Sequence, residues 1–169
     1  MIRVCLTGVE STGKSTLAPL LADHFGGVVM PEYGRTWAET RGTDFTPQAL
    51  REIAADRAAA CQRLAAVGPA LIVEDTDIVM TSSWARMLHG ARDPVLSAIP
   101  ANADGYLLFA ADTPWIDDGT RQFGGADRAR FAVIITDELA QRKIEPVLIA
   151  GDWSERLAAA IAATRALLG

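Results

Sequence analysis

No stretch of this sequence is rich in lysine or arginine, and none approaches a membrane span in apolar length; cysteine and histidine occur only twice each. Each shortage excludes something. Nucleic-acid binding draws its affinity from clustered cations that neutralise phosphates, so a chain of net charge -5 with no basic run is not expected to bind DNA or RNA. A bilayer crossing takes about 20 consecutive apolar residues. The N-terminus runs straight into a strand-like segment, with no basic region and cleavage site, so no membrane partner and a cytoplasmic location are expected. Cys5 and Cys61 lie in apolar patterns without His or Cys neighbours and read as core thiols, not as a disulfide or zinc ligands.

What is present is a globular balance, 50% hydrophobic and 22% charged. The 169 residues suffice for one compact domain with a core and a ligand cleft, and residues 1–169 are expected to form it.

Short apolar runs alternate with longer helical patterns, with no internal repeat. Residues 2–7 form an apolar run ending at Gly8, the pattern of a buried strand. Leu17, Leu20, Leu21 and Phe25 recur at helical spacing over 15–25, and Gly26-Gly27 stops that helix. Residues 28–30 are a second strand, after which Pro31-Glu32-Tyr33-Gly34-Arg35 is expected to be a loop. Thr46 and Pro47 supply an N-cap and a first-turn proline for a long helix with Leu50, Ile53, Ala54, Cys61 and Leu64 on one face. Strands are expected at 70–73, 106–110 and 146–149. Between them come a helix carrying Trp84, Met87 and Leu88, a polar loop over 112–127 and a helix over 129–142; Ser154 is expected to cap a terminal helix. Five apolar strands separated by helices predict an α/β fold, a parallel five-stranded sheet covered on both faces. Ligands bind beyond the carboxyl ends of such strands, where the polar clusters of this sequence fall.

The octapeptide Gly8-Val9-Glu10-Ser11-Thr12-Gly13-Lys14-Ser15 matches G-x-x-x-x-G-K-[ST] in full, between a strand and an amphipathic helix. Glycines let the backbone curl so that successive N–H groups face a phosphate, and the helix N-terminus adds positive potential. Lys14 is expected to reach the β- and γ-phosphates of ATP, and the Ser15 hydroxyl to ligate Mg²⁺.

Asp75 follows the strand Leu71-Ile72-Val73, where a Mg²⁺-holding acid belongs, with Glu74 and Asp77 close enough to compete. Glu32, just after the second strand, is placed to take a proton from an acceptor hydroxyl, or is an ordinary loop glutamate. Arg35 binds substrate or pairs with an acid. The segment Trp115-Ile116-Asp117-Asp118-Gly119-Thr120-Arg121, followed by Arg128 and Arg130, combines glycine with arginines. It suits a lid, over about 112–130, that brings positive charge to a transferring phosphoryl group.

Together these segments resemble one family over nearly the whole chain: the ribosylnicotinamide kinase domain of bifunctional NadR-type proteins. The resemblance rests on residues 8–16 with Glu10, on Glu32-Tyr33-Gly34-Arg35, on Asp75-Thr76-Asp77, and on Trp115-x-Asp117-Asp118-Gly119-x-Arg121. It implies a P-loop kinase fold with sheet order 2-3-1-4-5 and transfer of the ATP γ-phosphate to the 5′-hydroxyl of nicotinamide riboside, giving nicotinamide mononucleotide, an NAD precursor. The nucleotide would be held by Gly8, Glu10, Ser11, Thr12, Gly13, Lys14, Ser15 and Thr16, with Arg121 and Arg128. The nucleoside would meet Glu32, Tyr33, Arg35, Asp75, Asp77, Trp115 and Asp117. Ser15 and Asp75 would hold Mg²⁺, and Lys14, Glu32, Asp75 and Arg121 would carry the chemistry.

In bifunctional relatives an adenylyltransferase domain precedes the kinase; here the phosphate loop begins at residue 8, which leads to the expectation of a stand-alone kinase. The family's stacking aromatic before E-Y-G-R is Pro31 here, leaving Tyr33, Trp37 and Trp84 to supply a ring surface. A kinase for another nucleoside or small alcohol, and an NTPase switch, share the same loop. The lid arginines and Glu32 favour transfer.

Overall fold

The computed structural model describes residues 1–117, 119 and 121–169; Asp118 and Thr120 of the tryptophan-led segment lie outside the described residues. In chain order the elements are β1 (Ile2–Thr7), α1 (Lys14–Phe25), β2 (Val28–Met30), α2 (Tyr33–Arg41), α3 (Pro47–Ala66), β3 (Leu71–Asp75), α4 (Ile78–His89), α5 (Pro94–Ala98), β4 (Gly105–Phe109), α6 (Gly125–Gln141), β5 (Val147–Ile149) and α7 (Trp153–Leu168). The strands pair in parallel in the order β2-β3-β1-β4-β5, as expected. No helix among the described residues is long and apolar enough to cross a membrane.

Both faces of the sheet are covered over β1, β3 and β4, which is why those strands read as apolar runs and not as alternating patterns, while Val147 and Leu148 of the edge strand β5 are exposed. Successive side chains of a strand point to opposite faces. Val4, Leu6, Leu71, Val73, Leu107 and Phe109 pack with Leu17 and Leu21 of α1 and Ala160 of α7. On the other face Cys5 and Tyr106 pack with Val79 and Met80 of α4 and with Phe131, Ile134 and Ile135 of α6. Ile72 meets Cys61 of α3. The same parity continues into the polar end of β3 and decides its chemistry. Asp75 belongs to the face of Leu71 and Val73, towards α1, and Glu74 to the face of Ile72, towards α3.

Several boundaries differ from the sequence expectation. Residues 31–35 are not a loop: α2 begins at Tyr33, with Glu32 at its N-cap position. Gly34 weakens the local helical signal, but Tyr33, Trp37 and Ala38 pack against a cluster that includes Phe45, Leu50 and Ile53, and that contact holds the helix. β3 extends two residues past Val73 because Glu74 and Asp75 keep their register with Cys5 and Leu6. The polar loop ends at α6, which starts at Gly125 and not at 129. α5, with Asp93 capping Val95 and Leu96, was not anticipated. Asp152 caps α7 in place of Ser154, through a reciprocal capping box with Glu155.

Candidate active site

The phosphate loop leaves β1 at Gly8 and enters α1 at Lys14. Gly8 has φ 131° and Gly13 φ 86°, both in the region that L side chains avoid. Space tells against a side chain as well: a Cβ on Gly8 would lie 2.6 Å from the Phe109 carbonyl oxygen of β4, and one on Gly13 2.2 Å from the ring of exposed Trp153, which would have to move. Lys14 arches back over the loop, its Nζ donating to the Val9 carbonyl at 2.8 Å and to the Thr12 hydroxyl at 3.5 Å. Loss of water pushes its pKa down, while Glu32, Asp75 and Glu10 pull it up.

Above the loop opens a cleft of about 370 Å³. Gly8, Glu10, Ser11, Thr12, Gly13, Lys14, Ser15 and Thr16 line one side, together with Arg121. Glu32, Gly34, Arg35 and Ala38 form the adjoining wall. Beyond them Phe45, Leu50, Ile53, Met80 and Trp84, with Thr76 and Thr81, complete it. The Arg35 guanidinium stands 3.7 Å from the Glu32 carboxylate. Loss of water contact, then the Asp75 charge, push the Glu32 carboxyl up, against Lys14 and Arg35.

Asp75 lies at the carboxyl end of β3, where its charge acts on both Lys14 and Glu32. One of its carboxylate oxygens, Oδ1, is buried without a hydrogen-bond partner. An anionic oxygen withdrawn from water and left without a donor suits a cation. The donor set of Asp75, the Ser15 hydroxyl and water fits Mg²⁺, which prefers a few oxygen ligands and keeps its waters.

Other expected site residues lie elsewhere. Neither Asp75 nor Asp77 is among the residues that line the cleft; the Asp77 carboxylate accepts from the Val79 amide at 2.9 Å and from the Tyr106 hydroxyl at 2.5 Å, on the face of the sheet that carries Cys5 and Tyr106. Glu74, expected as a competitor for Mg²⁺, is buried and bound by Arg3 at 2.5 Å and by Arg57. Cys5, Glu74 and Asp77 converge, with ligand atoms within 4.8 Å of one another. The Arg3 and Arg57 guanidiniums already supply Glu74's positive charge, and burial pushes the Cys5 thiol far from ionising. Tyr33 is partly buried, packed against the cluster of Phe45, Leu50 and Ile53 and that of Met30, Cys61 and Ile72, and exposed Asp117 caps the Gly119 amide at 2.9 Å. Trp115 faces the phosphate loop, its indole N–H donating to Glu10 at 3.3 Å. Arg128 donates to the Thr113 and Glu10 carbonyls at 2.6 and 3.1 Å, and Arg130 is exposed.

The sequence reading missed most of the cleft's apolar wall. Trp84, one of three aromatics considered for a ring surface, is the one that lines the cleft. Its ring centroid lies 5.2 Å from Phe45, 4.6 Å from Phe123 and 5.7 Å from Phe131. Met80 and Trp84, four apart on α4, share a helix face, a spacing visible in the sequence but equally that of a core stripe.

A family model described as "AAA domain" matches residues 3–156. The trifunctional NAD biosynthesis/regulator protein NadR of Escherichia coli (strain K12) is 28% identical over 174 residues, covering 98% of this chain and 42% of that protein. The chain thus spans less than half the length of this curated relative. Its structure is similar to a crystal structure of NadR protein in complex with NR, with TM-score 0.81 and 22% identity over 99% of this chain and 52% of that one. It is also similar to thymidylate kinase from Ehrlichia chaffeensis, with TM-score 0.66 and 13% identity over 98% of both chains. These likenesses give a P-loop kinase fold.

Proposed function

The chain belongs to the AAA domain family, whose model spans residues 3–156, and from that premise we propose that it is an ATP-dependent nucleoside kinase with nicotinamide riboside as acceptor. The observation that carries the reading is that one cleft is lined both by Lys14 and Ser15 of the phosphate loop and by the apolar Phe45, Met80 and Trp84, with Glu32 in the same lining and within electrostatic reach of Lys14. An NTPase switch has no need of the apolar lining. The likeness to NadR, named for NAD biosynthesis and crystallised with NR, supports the acceptor.

In this reading the phosphate loop and Lys14 hold the triphosphate, and Arg121 offsets charge on the transferring group. Mg²⁺, when bound by Asp75 and Ser15, would neutralise the phosphate oxygens. Glu32 takes the proton of the acceptor's 5′-hydroxyl as its oxygen bonds to the γ-phosphorus, the bond from that phosphorus to the bridging oxygen breaks and ADP leaves; a carboxyl pushed up is a better base than an ordinary one. Arg35 keeps it oriented. Trp84 supplies the face for a cationic ring that Pro31 cannot. Asp77 and Asp117 take no part.

The test is coupled ADP release with nicotinamide riboside, uridine and cytidine, followed by mass detection of the product. Nicotinamide riboside should lead in kcat/KM by at least about tenfold, roughly 1.4 kcal/mol. Preference for a neutral nucleoside would replace the acceptor and keep the kinase. ATP hydrolysis with no phosphorylated product would replace the kinase with a switch.

A further inference from the structure

Between the two glycines of the phosphate loop, Glu10 and Ser11 hold the segment that carries Arg121. The Glu10 carboxylate accepts three donors from that segment: the Trp115 indole at 3.3 Å and the Gln122 and Phe123 amides at 3.1 Å each. Ser11 adds a reciprocal pair, its hydroxyl accepting from the Ile116 amide at 3.0 Å and donating to the Ile116 carbonyl at 3.2 Å. Its own carbonyl accepts from the Thr113 hydroxyl at 2.6 Å. Arg121 lies between these anchors, donates to the Ile116 carbonyl and lines the cleft.

Phosphate binding by such a loop uses backbone amides, so it places no demand on the side chains at positions 10 and 11. Both are nevertheless committed to the facing segment. A carboxylate that accepts two backbone amides and an indole N–H is a charge-assisted acceptor, stronger than a neutral one. Glutamine at position 10 would keep one carbonyl oxygen, lose the charge and turn an NH₂ towards N–H donors.

We propose that Glu10 is a positioning residue that pins the 113–117 and 121–123 stretches to the phosphate loop, so that Arg121 stands at the transferring phosphate before the nucleotide arrives. The inference rests on the kinase reading given above. Its benefit is preorganisation: a guanidinium already in place needs no rearrangement as charge develops.

Two measurements test it. Amide hydrogen exchange at Gln122 and Phe123, in the protein without substrate, should quicken by at least about tenfold in Glu10→Ala and by less in Glu10→Gln. Glu10→Ala should also lower kcat by about tenfold or more with the acceptor KM changed less than about twofold. The Glu10→Ala/Arg121→Ala double variant should then be no slower than Arg121→Ala alone, because one residue acts through the other. Unchanged exchange, or losses that add in the double variant, overturns the proposal. Should Glu10→Ala fail to fold, Glu10→Gln takes its place in both experiments. If the wild type transfers phosphate to no acceptor, the kinase reading falls and the exchange result alone judges the latch.

Discussion

Glu74 and Asp75 are neighbours in β3 and meet opposite surroundings: Glu74 is bound by Arg3 and Arg57, while Oδ1 of Asp75 is buried without a partner on the side of Lys14 and Glu32. Asp75→Asn should therefore raise the Mg²⁺ concentration for half-maximal rate by about tenfold or more, the order of loss seen when a metal's ligand set is disturbed. Its melting temperature should hold or rise, since a buried carboxylate oxygen without a hydrogen-bond partner and the repulsion between Asp75 and Glu32 are both removed. A Mg²⁺ titration and a thermal melt on the same preparation check both.

Arg57→Met addresses the other neighbour. Glu74 would stay buried with Arg3 as its remaining guanidinium, and breaking a buried pair from one side costs about 3–5 kcal/mol. Urea unfolding should show a loss near the lower end of that range. The Mg²⁺ requirement should not move, because the pair lies on the α3 side of β3, opposite the side of Asp75.

Glu32 gives a pH signature. Its carboxyl is pushed up by burial and then by Asp75, against Lys14 and Arg35. A base must be ionised, so the acid limb of kcat should fall at a pH above the ordinary glutamate value of about 4.3. Glu32→Gln should abolish that limb and lower kcat by about a hundredfold, with ATP affinity little changed. Stability runs with the opposite sign: a carboxyl whose folded pKa is raised favours the fold below its unfolded value, and that contribution is lost as pH rises through the folded one. Thermal melts should accordingly find Glu32→Gln gaining on the wild type as pH rises. An acid limb at the ordinary value would reassign the base.

Trp84→Leu tests the apolar lining. A cation–π contact of about 0.5–2 kcal/mol corresponds to roughly a two- to thirtyfold rise in the KM for nicotinamide riboside. The KM for ATP should stay put, and a neutral nucleoside should lose less. Steady-state kinetics, taken well below the variant's melting temperature, separate this from the cost of thinning the Phe45–Trp84–Phe123–Phe131 cluster.

Lys14→Ala should lower turnover by at least about a hundredfold, the usual loss of a preorganised electrostatic contact. It also removes the Nζ bond to the Val9 carbonyl, worth about 1 kcal/mol. The variant should thus fold with a slightly lower melting temperature. Activity close to the wild type would take Lys14 out of the mechanism.

The features legible in the sequence are those set by local torsion and periodicity. Residues 8–15 need glycine at fixed places; apolar runs such as 2–7 and 71–73 admit one doubly covered sheet; Thr46 and Pro47 start a helix whatever lies opposite. α2 was illegible because Gly34 speaks against a helix locally, and only the contact of Trp37 and Ala38 with the Phe45 cluster reverses it.

The sequence alone determined the phosphate loop, five parallel strands and the set of acids and arginines near their carboxyl ends, because nearby residues suffice to specify each. Only the tertiary structure decided which acid stands on the side of Lys14, which aromatic lines the cleft and what Glu10 holds. Those outcomes depend on strand parity and on contacts between distant residues: Glu10 meets Phe123 across 113 positions, and Arg57 meets Glu74 across 17. A side chain's neighbour at that range is fixed by the packing of whole elements, and no spacing pattern along the chain encodes it.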